Sequence, residues 1–254
     1  MCATCGCSDE AGVRVIDPES HGHGHGHDDG HHHLPPEPTR TVLLERDLLA
    51  ANDLLAEGNR GWLAERRIHA VNLMSSPGSG KTTLLERTIR DQGGRFPMSV
   101  VEGDQETVFD AHRIKATGCR VIQVNTGAGC HLDADMLAKA LRALDPPVRS
   151  TVFIENVGNL VCPALFDLGE GTRAVIMSVT EGADKPLKYP HMFRTADVVL
   201  LNKIDLLPYV DFDIDAFLAA LTQVNPRSRV LKMSATAGEG LEAWYGWLRE
   251  HAGS

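Results

Sequence analysis

Val71-Asn72-Leu73-Met74 runs into Ser75-Ser76-Pro77-Gly78-Ser79-Gly80-Lys81-Thr82-Thr83, and a helical pattern follows over residues 81–92. The order is apolar strand, Gly-rich loop, helix. Gly78 and Gly80 let the backbone N–H groups around Ser79 turn inward on phosphate oxygens, and the helix N-terminus adds its positive end. Lys81 has the reach for β- and γ-phosphates. The Thr82 hydroxyl, with Thr83 beside it, suits Mg²⁺. Ser75 stands where this loop usually has its first Gly, so the chain enters the loop without that freedom.

Outward from this loop, short apolar runs alternate with helical patterns. The strand candidates are residues 69–74, 99–102, 120–125, 150–156, 174–179, 198–202 and 229–233. Near-continuous Val/Ile/Leu runs suit strands buried on both faces. Helical patterns fill most of the gaps, at 81–92, 107–117, 133–144, 214–224 and 241–251. The alternation predicts an α/β fold, a mostly parallel sheet with helices on both faces. Ligands on such sheets bind beyond the carboxyl ends of the strands. Upstream, Leu43, Leu44, Leu48, Leu49, Leu55 and Leu63 are interleaved with charged residues. That spacing predicts an amphipathic helix packed on the domain, with a break near Gly58 and Gly61. Residues 1–40 are too polar and too rich in Gly, His and Pro to form a core. They read as a flexible metal-binding tail and linker, and residues 41–254 as the folded domain.

A second motif follows the sixth apolar run: Asn202-Lys203-Ile204-Asp205. The Asp205 carboxylate can accept from N1–H and the 2-amino group of guanine. Adenine offers neither donor, and a site built for such donors rejects a base that lacks them. Lys203 can lie along the base and Asn202 can tie loops together. Ser234-Ala235, after the last strand candidate, suits a backbone contact to the guanine O6. The pair of motifs selects GTP.

Two strand ends bear on Mg²⁺ and hydrolysis. Glu155, in Phe153-Ile154-Glu155-Asn156-Val157-Gly158, is placed to hold Mg²⁺ or its water, and the Gly158 N–H to sense a γ-phosphate. Asp104, in Glu102-Gly103-Asp104-Gln105-Glu106-Thr107, is placed to meet Mg²⁺ or to orient the attacking water; alternatively Asp104 or Glu106 caps the helix that follows. Lys81, Asp104 and Glu155 are the catalytic candidates. Asn159, not Gln, follows Gly158. Slow intrinsic hydrolysis is the expectation, with assembly or a partner completing the site.

Composition narrows the setting. The chain has 254 residues, 43% of them hydrophobic, and a formal net charge of −9. That acidity, without a long basic run, argues against nucleic acid and anionic membranes as partners. No apolar stretch nears the roughly 18–20 residues of a membrane span. The opening MCATCGCSDE is not a signal peptide, so a cytoplasmic setting is expected. Clustered thiols there read as metal or redox chemistry before disulfides.

Three metal constellations stand out. Cys2, Cys5 and Cys7 lie close enough to wrap one ion, with an α-amino group as a fourth ligand. A planar set would suit Ni²⁺ and a tetrahedral one Zn²⁺. His21, His23, His25, His27, His31, His32 and His33 form a tract suited to low-selectivity nickel binding. The third lies inside the domain. Cys130-His131 closes the third strand candidate and Cys162 follows the fourth, at one edge of the sheet. Two thiols and an imidazole make a plausible Zn²⁺ or Ni²⁺ site, which a second subunit could complete. Cys162 lies seven residues beyond Glu155. A metal there would touch the loop that senses phosphate, linking the two ligands reciprocally.

MCATCGC, the His-rich tail, SSPGSGKTT, EGDQET, GAGCHLDADM, ENVGNLVCPA and LNKIDLLP together closely resemble the HypB family, the nickel-insertion GTPases of [NiFe]-hydrogenase maturation. The likeness spans essentially the whole chain. It implies a dimerising P-loop GTPase, in which nucleotide drives assembly and Ser commonly replaces the first loop Gly. It implies tight nickel binding at Cys2, Cys5 and Cys7, and a second site at Cys130, His131 and Cys162 on the dimer interface. The implied partners are a HypA-like nickel- and zinc-binding accessory protein and the hydrogenase large subunit. The nickel GTPases of urease maturation fit less well. Their expected Cys-Pro-His is Cys162-Pro163-Ala164 here. A nickel buffer with a vestigial GTPase fold is a third reading, which intact Lys81, Thr82 and Asp205 speak against.

Overall fold

The computed structural model describes residues 40–104, 109–127 and 131–251, with side chains from Asp47 onward. All seven apolar runs are strands: β1 (His69–Ser75), β2 (Met98–Asp104), β3 (Arg120–Asn125), β4 (Thr151–Glu155), β5 (Thr172–Ser178), β6 (Val198–Asn202) and β7 (Arg229–Lys232). They pair in the order β3-β2-β4-β1-β5-β6-β7. Every pairing is parallel, so the sheet is wholly rather than mostly parallel. β1 lies at its centre, between β4 and β5, and carries the phosphate loop at its carboxyl end.

Side chains alternate along each strand, and each face takes its own helices. Val71, Leu73, Val100, Phe153, Ile176 and Leu200 share one core with Leu84, Leu85 and Ile89 of α2 (Lys81–Gln92), Ile114 of α3 (Phe109–Lys115) and Trp244 and Leu248 of α9 (Leu241–His251). The opposite face divides into two cores. Ala70, Val101, Val152 and Ile154 pack with Leu63 of α1 (Arg40–Glu65) and Leu137 and Leu141 of α4 (Ala134–Leu144). Val175, Met177, Val199 and Leu201 pack with Ala164 of α5 (Cys162–Leu165), Phe193 of α7 (Pro190–Arg194) and Phe217 and Leu221 of α8 (Ile214–Val224). The short α6 (Lys185–Lys188) precedes α7. Among the described residues, no helix is long and apolar enough to cross a membrane.

One element differs from the reading of the sequence. α1 runs unbroken for 26 residues, through Gly58 and Gly61. Both glycines are exposed. Each costs about 1 kcal/mol against Ala, which weakens a helix without ending it. The Leu stripe supplies only part of the buried face: Leu63 is buried, but Leu48 and Leu55 are exposed. Asn52, Ala56 and Asn59 share the buried face with Leu63. Asn52 accepts from the Ala134 N–H at 2.9 Å and donates to the Asp167 carbonyl at 2.8 Å. Asn59 donates to the carbonyls of Ala134 at 2.8 Å and Leu168 at 3.0 Å. The helix is held by side-chain amides that satisfy the first N–H of α4 and the loop carbonyls of Asp167 and Leu168, none of which a regular element pairs, while the Ala134 carbonyl takes a second bond besides its own helix's.

Candidate functional site

The phosphate loop takes its shape from two left-handed glycines, Gly78 at φ +73° and Gly80 at φ +101°. A Cβ on Gly80 would lie 2.5 Å from Asn202 Nδ2, so that position is closed to any other residue by conformation and by space. No side chain caps the start of α2. Asp133 and Asp213 do cap α4 and α8, accepting from Met136 N–H and Ala216 N–H. The first-turn donors of α2 are thereby left for an anion. The Ser79 hydroxyl is buried with no hydrogen-bond partner. Lys81 donates to Ser75 Oγ at 2.8 Å, and burial pushes its pKa down, while Glu155 and then Asp110 act the other way. Ser75, in place of the usual glycine, is where the loop lysine rests.

Asn202 ties three segments together. Its Nδ2 donates to the Ser79 carbonyl at 2.9 Å and its Oδ1 accepts from the Ala235 N–H at 3.0 Å. Lys203, itself at φ +63°, donates to the Gly78 carbonyl at 2.7 Å. Asp205 sits in the 3-10 helix Ile204–Tyr209 that follows, and Ser234 lies in the turn after β7, where its hydroxyl accepts from Ala237 N–H. The phosphate loop, β6 end and β7 end therefore form one rigid edge. Ser76 Oγ donates to Glu181, which also accepts from Ser178 N–H, and this anchors the loop to the end of β5.

The cleft above this edge has a volume of about 460 Å³, within the range of small-molecule sites. Lys81, Thr82, Thr83, Glu155, Gly158 and Lys203 line it. A Cβ on Gly158 would come within 3.1 Å of Pro77, so the β4 loop rides directly on the phosphate loop. Thr82 Oγ1 donates to Glu155 Oε1 at 2.6 Å, and Glu155 Oε2 is buried without a partner. Glu102 stands opposite Glu155 in the β2–β4 register, and its Oε2 is likewise buried and unpartnered. Burial, then repulsion from Glu155 and Asp104, pushes the Glu102 carboxyl up to about 8; burial pushes Glu155 up to about 7. Buried carboxylate oxygens lacking donors, beside a hydroxyl, fit a hard divalent cation such as Mg²⁺.

Asp104 closes β2, where its carbonyl accepts from the Thr126 N–H at 3.0 Å. It does not line the cleft; Asp110 and Arg113 do. Sequence reasoning missed those two and Glu102. Asp110 and Arg113 have the i, i+3 spacing of one helix face, but nothing local says which way that face looks. Glu102 did carry a signal, as a charge inside a buried apolar run.

The proposed metal constellation is described in part. His131 stacks on Phe166 with ring centroids 3.9 Å apart. Cys162 begins α5, whose last turn leads into Phe166, and is buried. The Leu132 N–H donates to Asn156 Oδ1 at 3.3 Å. The segment after β3 and the segment after β4 are thus in contact. Burial lowers the His131 pKa, which favours the neutral, ligating imidazole. Cys130 lies outside the described residues, as do Cys2, Cys5, Cys7, Glu106 and the histidines from His21 to His33. Among the described residues, no three His, Cys, Asp or Glu side chains are grouped as a metal site.

Residues 69–232 match the family described as CobW/HypB/UreG, nucleotide-binding domain. The hydrogenase maturation factor HypB of Rhizobium leguminosarum bv. viciae is 54% identical over 213 residues, 84% of this chain and 71% of that protein. HypB of Escherichia coli K12 is 54% identical over 217 residues, 85% of this chain and 75% of that protein. Among solved structures, HypB from Archaeoglobus fulgidus superposes with a TM-score of 0.75 at 41% identity, covering 80% of this chain and all of that one. HypB from Helicobacter pylori, solved in complex with nickel, gives 0.74 at 38% identity, covering 80% and 95%. The chain belongs to the CobW/HypB/UreG family of GTPases, among the HypB hydrogenase maturation factors.

Proposed function

We propose that the chain is a GTP-hydrolysing nickel metallochaperone that supports nickel insertion into the [NiFe]-hydrogenase large subunit. The observation that carries the nucleotide half is Asn202, which joins the phosphate loop to the two base-side loops through Ser79 and Ala235. The nickel half is supported by similarity to the H. pylori HypB solved with nickel. Nickel, or zinc, would occupy Cys130, His131 and Cys162, with Cys2, Cys5, Cys7 and the histidine tract as further nickel ligands. A GTP-bound homodimer, a HypA-like accessory protein and the large subunit are its proposed partners, and the cytoplasm its proposed setting.

Phosphates would enter the open N-terminus of α2, and Lys81 would exchange Ser75 Oγ for their β- and γ-oxygens. Asp205 would accept from guanine. Thr82 and Glu155 are the residues that would hold Mg²⁺, with Asp104 proposed beside them; Mg²⁺ bound there would neutralise phosphate charge. Gly158, resting on Pro77, would register the γ-phosphate. The β4 loop runs from Gly158 to Cys162, so phosphate and metal would share one moving segment. GTP would hold a metal-loading dimer and hydrolysis would reset it, slowly unless a partner completes the site.

The test of the nucleotide half is Asp205→Asn in the full chain, read as equilibrium binding of GTP, ATP and xanthosine triphosphate. Loss of GTP preference with gain of the xanthine nucleotide is expected. Unchanged GTP selectivity would refute the assignment of Asp205.

A further inference from the structure

Arg113 faces the phosphate cleft and has no part in the reading above. Its Nη2 lies 2.6 Å from Glu86 Oε2 and 3.4 Å from Thr83 Oγ1, and its Nη1 lies 3.3 Å from Asp110 Oδ1. Thr83 is in the first turn of α2, next to Thr82. The guanidinium therefore already touches the helix start where phosphates would sit.

Charge accounting singles it out. Among the described residues that line the cleft, the cations are Lys81, Arg113 and Lys203. Lys203 belongs to the base-side loop and holds the Gly78 carbonyl. A triphosphate with its several negative charges would meet only Lys81 and Arg113. The partners that now hold Arg113 are replaceable. Its own side chain is 43% exposed and that of Asp110 41%, while Glu86 is the better shielded at 13%. Exposed ion pairs are weak, whereas a guanidinium–phosphate pair is bidentate and charge-assisted. Arg113 is also one of the charges that draw the Glu155 carboxyl downward against its burial.

We propose that Arg113 is a second cationic contact to the terminal phosphate of GTP, supplied by the same chain and held aside by Glu86 until that phosphate arrives. The inference rests on the guanine-nucleotide reading above. In hydrolysis the water oxygen bonds to the γ-phosphorus as the bond to the bridging oxygen breaks. The bridging oxygen leaves on GDP with the electron pair, and the water proton passes to the released phosphate. Arg113 stabilises the negative charge on the γ-oxygens through that step, as arginines do in other phosphoryl transfers.

The experiment compares the full chain with Arg113→Ala, Arg113→Lys and Glu86→Gln. It measures affinity for GDP and for a non-hydrolysable GTP analogue, and the single-turnover hydrolysis rate. Arg113→Ala is expected to slow hydrolysis at least ~10-fold and to weaken the analogue while leaving GDP affinity within about twofold. Arg113→Lys should recover part of the analogue affinity and little of the rate, because it lacks the fork. Glu86→Gln, which loosens the holder, should shift the ratio toward the analogue. Equal losses for GDP and analogue, or a wild-type rate in Arg113→Ala, would overturn the inference alone. Failure of the unaltered chain to bind guanine nucleotides would overturn the reading beneath it as well.

Discussion

Glu102 and Glu155 face each other across β2 and β4 with an unpartnered oxygen each. Without a cation, two carboxylates this close in a buried site cannot both ionise cheaply. Glu102 holds its proton up to about 8, far above an unfolded glutamate. The folded state therefore binds more protons than the unfolded state between those two values, and stability falls as pH rises through that window. Glu102→Gln removes the cost without changing shape. The expected result is a higher Tm than wild type near pH 8.5 in the absence of Mg²⁺ and nucleotide, with the gap closing near pH 5. A relief of about 1–2 kcal/mol corresponds to roughly 2–8 °C for a domain of this size. A gap independent of pH, or an unstable variant at high pH, contradicts the account. At this scale, the sequence was legible where chemistry is local. Lys81, Thr82 and Asn202 stand in short motifs whose backbone context is itself part of the motif. Arg113 and Glu102 were not, because their roles depend on which neighbour the fold sets opposite them.

Among the elements, α1 is the one whose packing the pattern misread. A helix is ordinarily fixed by an apolar stripe, and the Leu spacing suggested one. Here the seam is Asn52, Ala56, Asn59 and Leu63, and Gly169 comes up against it. Gly169 sits at φ +84°, and a Cβ there would lie 2.3 Å from the Ala56 carbonyl. Close approach of backbone to backbone leaves asparagine amides as the natural connectors. Asn59→Ala should strand the Leu168 carbonyl and remove the second bond to the Ala134 carbonyl, at a cost of about 1–3 kcal/mol, measured by urea unfolding. A cost below about 0.5 kcal/mol would mean the amide is not what holds the helix. The strands were readable because all but the edge pair are buried on both faces. Continuous Val/Ile/Leu runs report that directly, and the wholly parallel sheet follows from strands separated by helices.

For the whole molecule, the sheet topology brings the phosphate loop and the proposed metal ligands to one side. β1 and β4 are neighbours, so the phosphate loop and the loop from Gly158 to Cys162 leave the same edge. The turn that follows β3 meets the end of α5, which that loop leads into, through His131 and Phe166. On the proposed function, a phosphate sensed at Gly158 would shift Cys162, and the coupling would be reciprocal. The most direct measurement is a nickel titration of a chain beginning at Thr39, with GDP and then with a non-hydrolysable GTP analogue. Both tail constellations are removed, leaving Cys130, His131 and Cys162. The account predicts different nickel affinities in the two nucleotide states, with the difference abolished by Cys162→Ala. The same affinity in both states would contradict it and confine nickel handling to the tail.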